Sequence, residues 1–212
     1  MGCIRRSSSK HGREGSLKSG NINETKVIVP FRKEVDLQKP DDCIAIDINE
    51  SNVTGVSSTP HILRIDHELR TVHTTYFCIR RRIQKLAKFK PKKAERLMKK
   101  YSGREKRKAM DICHKISRAV VDFAKEHGFG IVMENLKGIR NNINKGRMLS
   151  RRLHSWNFAR LQFYIDYKAR LEDLPVEYVN PRGTSSLCPV CGEKLALNGH
   201  RRVKCDCGYE QV

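Results

Sequence analysis

Acidic residues are scarce in this 212-residue chain: 23 Asp and Glu stand against 43 Lys and Arg, a net charge of +20 with the histidines neutral. A compact monomer carrying that charge repels itself unless a polyanion offsets it, so nucleic acid is the leading partner. Long apolar runs are missing as well. No stretch approaches the ~20 residues that span a bilayer, and the opening MGCIRRS lacks the apolar core of a secretory signal. Arg6 stands where a myristoylation motif needs a serine or threonine. The expectation is a soluble, cytoplasmic protein. Residues 1–24 mix Ser, Gly, Lys, Arg and Asn without hydrophobic periodicity, which predicts a disordered basic tail.

Cysteine is where the chain is rich. Cys188 and Cys191 lie in TSSLCPVCG (184–192), and Cys205 and Cys207 in VKCDCGYEQ (203–211), each pair followed by a glycine. Two close thiol pairs separated by about a dozen mostly polar residues match a four-thiolate zinc ribbon, in which the glycines let the backbone fold back toward the metal. The second pair has one residue between its sulfurs rather than two, which strains the usual knuckle. A disulfide pair or four unrelated buried cysteines are the alternatives; without a secretory leader, zinc is favoured. Cys3, Cys43, Cys78 and Cys113 sit at no metal-like spacing and read as reduced thiols, most of them core residues.

Along the chain, KVIVPF (26–31) reads as a short strand, and CIAIDI (43–48) as a strand apolar on both sides that belongs in mid-sheet. NVTGVSS (52–58) and HILRID (61–66) complete an antiparallel meander. Helical spacing runs from about Thr71 to Lys100 and again from about Arg104 to His127, where Ile112, Ile116, Ala119, Val120 and Phe123 form the predicted packing face. GIVMEN (130–135) is a buried strand. A helix from about His154 to Leu174 follows, with Trp156, Phe163, Tyr167 and Leu171 as its apolar stripe, and VEYVN (176–180) is the last strand. Three antiparallel strands, two helices, strand, helix, strand is the order of an RNase H-like α/β core. The predicted organisation is the tail, a core over 25–183 with a basic helical pair at about 71–127, and the ribbon over 184–212.

Asp47 is a lone carboxylate in a strand that otherwise reads as buried, and burying it unpaired is costly. Glu134 ends a second apolar strand. In an RNase H-like sheet the first and fourth strands are neighbours, which brings Asp47 and Glu134 together; paired carboxylates repel unless a divalent ion sits between them. Mg²⁺ or Mn²⁺ would occupy the site, and two metals about 3.5–4 Å apart would hydrolyse a phosphodiester. The plainer alternatives are an Asp47 salt-bridged to an arginine and a Glu134 that merely ends its strand.

In order, IAIDIN (44–49), IVMENLKGIR (131–140), SWNFARLQFYIDYKARL (155–171), VEYVNPRGTSSLCPVCG (176–192) and CDCGYEQ (205–211) resemble the transposon-encoded TnpB (OrfB) family and its relatives, the type V CRISPR effector nucleases. The resemblance covers about residues 26–212. It implies a RuvC-like nuclease domain with an inserted zinc ribbon, part of an RNA-guided DNA endonuclease historically described as a transposase. By motif match, Asp47 takes the place of the first catalytic aspartate and Glu134 that of the catalytic glutamate, while Cys188, Cys191, Cys205 and Cys207 take the zinc positions. DNA and guide RNA are the implied partners. The family places a third catalytic aspartate just past the CGY motif and a long RNA-holding region before the first catalytic strand. Here the sequence stops at Val212 and only about 40 residues precede that strand. The expectation is a domain truncated at both ends and impaired in catalysis, unless a partner chain supplies the missing segments; a non-enzymatic, zinc-containing nucleic-acid binder is the alternative.

Residues 80–108 hold 15 Lys and Arg against only Glu95 and Glu105, thirteen of the twenty net positive charges. Arg81, Arg82, Lys85, Lys88, Lys92, Lys93, Arg96, Lys99 and Lys100 are the predicted phosphate contacts, with a solvated helical face as the alternative. Phe89 and Tyr101 interleave with these charges, as base-stacking residues or, as the preferred reading, as rings packed against a partner helix. Arg147 and Arg151, in the Gly-punctuated loop after Glu134, are placed to follow a phosphate backbone near the cleft.

Overall fold

Alternating burial defines the first strand of the five-stranded sheet. Along β1 (Cys43–Ile48), Ile44, Ile46 and Ile48 are buried while Cys43, Ala45 and Asp47 are exposed. The expectation of a strand buried on both faces is therefore corrected, because small apolar types occupy an open face. β2 (Asn52–Ser57) runs antiparallel to β1 with Ile46 opposite Gly55, and β3 (Ile62–Asp66) antiparallel to β2 with Gly55 opposite Leu63. The computed structural model describes residues 16–17, 21–23, 26–29, 31–136, 146, 150–151, 156–181, 183, 186–197 and 203–211. Within the span expected to be a featureless tail, Ser16–Leu17 pairs with Phe31–Arg32 and Asn21–Asn23 with Lys26–Ile28. The rest of residues 1–24 lies outside the described residues.

Three helices follow the meander: α1 (Leu69–Ala87), α2 (Pro91–Tyr101) and α3 (Arg104–His127). The single helix expected over 71–100 is thus two. Pro91 lacks an N–H and suits a first helical position, so it opens a new helix rather than continuing the old one. At the end of α3, Gly128 takes a left-handed φ of 70° and the Phe129 N–H donates to the Ala124 carbonyl at 2.8 Å, a Schellman-type stop. The chain then enters β4 (Gly130–Glu134), which pairs in parallel with β1, and after α4 (Phe158–Leu171) comes β5 (Val176–Val179), parallel to β4. The sheet order is β3-β2-β1-β4-β5, the mixed α/β, RNase H-like arrangement expected, with the first and fourth strands adjacent.

The core joins Ile44, Ile46, Ile131 and Met133 of the sheet to α3 and α4. On α3 the buried line is Ala109, Cys113, Ile116, Val120 and Ala124, while Ala119, expected to pack, faces solvent. On α4 it is Phe158, Leu161, Ile165 and Ala169; Phe163 and Leu171, placed by periodicity on the apolar stripe, are exposed. The two helices are stapled by Lys168, whose Nζ donates to Ser117 Oγ and to the His114 carbonyl, both at 2.7 Å. Burial lowers the Lys168 pKa. Among the described residues, no helix is long and apolar enough to cross a membrane.

Candidate functional site

The thiols come together. Cys188 Sγ lies 3.5 Å from Cys207 Sγ and Cys191 Sγ 3.4 Å from Cys205 Sγ, and all four sulfurs fall within 4.8 Å of one another. A tetrahedral zinc with bonds of about 2.3 Å separates its sulfurs by roughly 3.8 Å, so the donor set fits a structural zinc and leaves no open position. Each pair sits on its own knuckle. In the first, Gly192 at φ 77° donates its N–H to the Cys188 carbonyl at 2.9 Å; in the second, Gly208 at φ 93° donates to Cys205 at 3.0 Å. The second turn thus closes one residue earlier, and the missing spacer is absorbed by the turn rather than by the sulfurs. The Val190 N–H points at Cys188 Sγ at 3.4 Å, favouring its thiolate. Three short strands, Ala196–Leu197, Val203–Lys204 and Glu210–Gln211, complete the ribbon.

The carboxylates are set by strand register. The β1–β4 ladder pairs Cys43 with Gly130, Ile44 with Ile131, Ala45 with Val132 and Ile46 with Met133. Asp47 and Glu134 are the next residues along, at the carboxyl ends of adjacent parallel strands and on the face opposite Ile46 and Met133. Asp47 is exposed rather than buried, which corrects the premise that burial demands a cation there. Its Oδ2 accepts from Asn49 Nδ2 at 2.9 Å, and the same amide reaches Asn52 Oδ1 at 3.1 Å across the β1–β2 turn, so an amide rather than an arginine steadies it. Glu134 is half-buried, and its backbone carbonyl accepts from the buried Gln162 Nε2 at 2.6 Å, tying the strand end to α4. Among the described residues, the four cysteines are the one group of three or more potential metal ligands, so no third described acid or histidine closes around Asp47 and Glu134.

A polar cluster that sequence spacing did not reveal lines a cavity together with Glu50, two residues past β1. His73 Nδ1 meets Glu105 Oε1 at 2.7 Å, Arg80 bonds the other carboxylate oxygen, and Asn157 Nδ2 lies 2.5 Å from His73 Nε2. Burial raises the Glu105 pKa, but His73 and Arg80 together outweigh it and the net shift is downward. The cluster pins α1 to the starts of α3 and α4. Its members are 32 and 84 positions apart, and no local motif signals contacts of that range.

The predicted phosphate contacts fall into two groups. Arg81, Arg82, Lys85, Lys88, Lys92, Lys93, Arg96, Lys99 and Lys100 are all exposed on α1, α2 and the link between them. Arg151 instead stacks its guanidinium 3.9 Å from the Phe77 ring on α1, and Arg147 lies outside the described residues. Tyr101 is half-buried, with Lys100 and Arg104 over its ring. Phe89 contradicts the packed reading: it is 82% exposed.

A TnpB-like protein of Methanocaldococcus jannaschii is 42% identical over 203 residues, 92% of this chain and 73% of that protein. The chain belongs to the TnpB-like family. Within it, residues 158–211, from α4 through the ribbon, match the family model described as Cas12f1-like, TNB domain. The CRISPR-associated endodeoxyribonuclease Cas12f1 of Sulfoacidibacillus thermotolerans is 38% identical over 101 residues, 46% of this TnpB-like chain and 22% of that enzyme. The fold is shared with a CRISPR-Cas12f ternary complex, at a TM-score of 0.59 and 18% identity over 84% of this chain and 37% of that one. A Cas12f1–sgRNA–target DNA complex gives a TM-score of 0.56 at 18% identity, over 79% of this chain and 35% of that one.

Proposed function

We propose that this TnpB-like chain is a RuvC-like nuclease domain that binds DNA and takes part in metal-dependent phosphodiester hydrolysis, with Asp47 and Glu134 as the carboxylates that hold Mg²⁺ or Mn²⁺. The supporting observation is the β1–β4 register, in which the two acids follow the paired Ile46 and Met133 at neighbouring strand ends, on the face opposite those buried side chains. Adjacent strands lie about 4.8 Å apart, a spacing at which two carboxylates share a cation. Bound divalent ions would supply an activated water and neutralise charge on the leaving oxygen. The chain's own residues orient the acids: Asn49 fixes the Asp47 rotamer, and Gln162 anchors the carbonyl end of β4. The zinc ribbon is the structural metal site. The guide RNA and target DNA of the related complexes carry over to this chain as partners under the same proposal, with phosphate contacts from the exposed cations of α1 and α2.

One observation favours a second reading. The exposed cations of α1 and α2 together with the four-cysteine cluster suit, by themselves, a non-enzymatic nucleic-acid-binding protein with a zinc ribbon. The two readings part in a single assay: zinc-loaded protein with labelled single-stranded DNA and Mg²⁺ or Mn²⁺, beside Asp47→Ala and Glu134→Ala. Metal-dependent cleavage that falls by about two orders of magnitude or more in each variant supports the nuclease. Salt-sensitive binding without cleavage in any of the three supports the second reading, and cleavage indifferent to both substitutions overturns the assignment of these acids.

A further inference from the structure

Phe89 stands at the tip of a helical hairpin. α1 and α2 meet through the three residues Lys88, Phe89 and Lys90, and α2 packs chiefly on α1, burying only Ala94 of its own. The link is held by backbone bonds: the N–H of Lys88 donates to Lys85, and those of Phe89 and Lys90 to Leu86, at 3.3, 3.1 and 2.8 Å. The Lys90 carbonyl in turn accepts from Ala94 at 3.0 Å. A tip pinned in this way presents its ring without loop freedom to lose on binding. The ring itself is 82% exposed and is flanked in sequence by Lys88, Lys90, Lys92 and Lys93, all exposed. Leaving a phenylalanine in water among cations forgoes the burial that normally retains such a residue, and the surrounding charge complements a polyanion.

We infer that Phe89 is a stacking finger: the hairpin tip receives an unpaired base of a bound single strand on the Phe89 ring while Lys88, Lys90, Lys92 and Lys93 engage its phosphates. The inference rests on the nucleic-acid-binding reading above and adds to it which residue touches a base and which state of the strand is bound. Aromatic rings accept any base face and are indifferent to sequence, whereas lysines supply the salt-dependent term.

The test uses full-length, zinc-loaded protein and fluorescence anisotropy with a labelled single-stranded DNA, the RNA of the same sequence, and the DNA duplex, each over a salt series. Phe89→Ala and Phe89→Leu are expected to weaken binding to at least one of the two single strands roughly tenfold, within the range for losing one stacked base. The salt slope should be unchanged, duplex affinity should move by less than about twofold, and Phe89→Tyr should bind like the wild type. Lys92→Ala with Lys93→Ala should flatten the salt slope instead. Wild-type affinity for both single strands in Phe89→Ala overturns the stacking role and leaves nucleic-acid binding standing. So does an equal loss on duplex, or full binding by Phe89→Leu. If the wild type binds none of the three at any salt, the parent reading falls with it.

Discussion

Burial pushes the Cys113 thiol up to about 11, with the nearby Arg160 charge pulling weakly the other way. Cys43 and Cys78 are exposed on the sheet and on α1. Because the thiolate is the nucleophile, iodoacetamide at neutral pH should alkylate Cys43 and Cys78 and leave Cys113 untouched until the protein is unfolded, as peptide mass spectrometry reads directly; early labelling of Cys113 would contradict the packing of α3. At this scale the four zinc cysteines were legible from spacing alone, since ligand geometry constrains sequence separation. Asp47 was legible as an unusual residue but for the wrong reason. Cys43 and Ala45 look buried by type, and only the sheet reveals that their face is open. Phe89 was misjudged because nothing local distinguishes a packed aromatic from one held out at a bend.

Between elements, Glu172 just past α4 reaches back to α3, accepting from Lys125 at 2.6 Å and from Arg118 at 3.0 Å. The Lys125 bond, then Arg118, holds its carboxyl below the usual glutamate value against the opposing effect of burial. A depressed native pKa means the stabilisation is complete above the unfolded value near 4.5 and disappears as pH falls through the lowered native one. Glu172→Gln should therefore cost about 1 kcal/mol at neutral pH, by urea titration, and the gap to the wild type should close in acid; a gap that persists at low pH would assign the loss to something other than charge. Element types and order were readable because strands and helices repeat at different periods. Boundaries and faces were less so: the break before Pro91 hides inside a stretch dominated by Lys and Arg, and on α4 Phe163 and Leu171 share a period with residues that pack, while the choice of face is made by α3.

As a whole, the molecule joins a sheet-and-helix body that owes its stability to apolar burial to a ribbon of three two-residue strands that cannot supply a core of its own. Removing zinc with a strong chelator should raise hydrogen exchange across residues 186–197 and 203–211 while the far-ultraviolet helical signal and the protection of β1 and β4 persist. Collapse of both parts together would show that the body leans on the metal. The overall order was recognisable because the motif-bearing strands and the ribbon keep their sequence along the chain. The His73–Glu105–Asn157 contact was not, because it is made by folding and has no local signature.

The placement of Asp47 beside Glu134 has one more consequence, a matter of parity. Two side chains on neighbouring pleated strands look the same way only while both are counted from a common rung. Deleting a single residue between Gly130 and Met133 would turn Glu134 toward the oily side and swing Met133 out to water, even though every element survived. The separation of the two acids is thus inherited from the ladder itself, and mutations that alter loop length around it leave that distance alone.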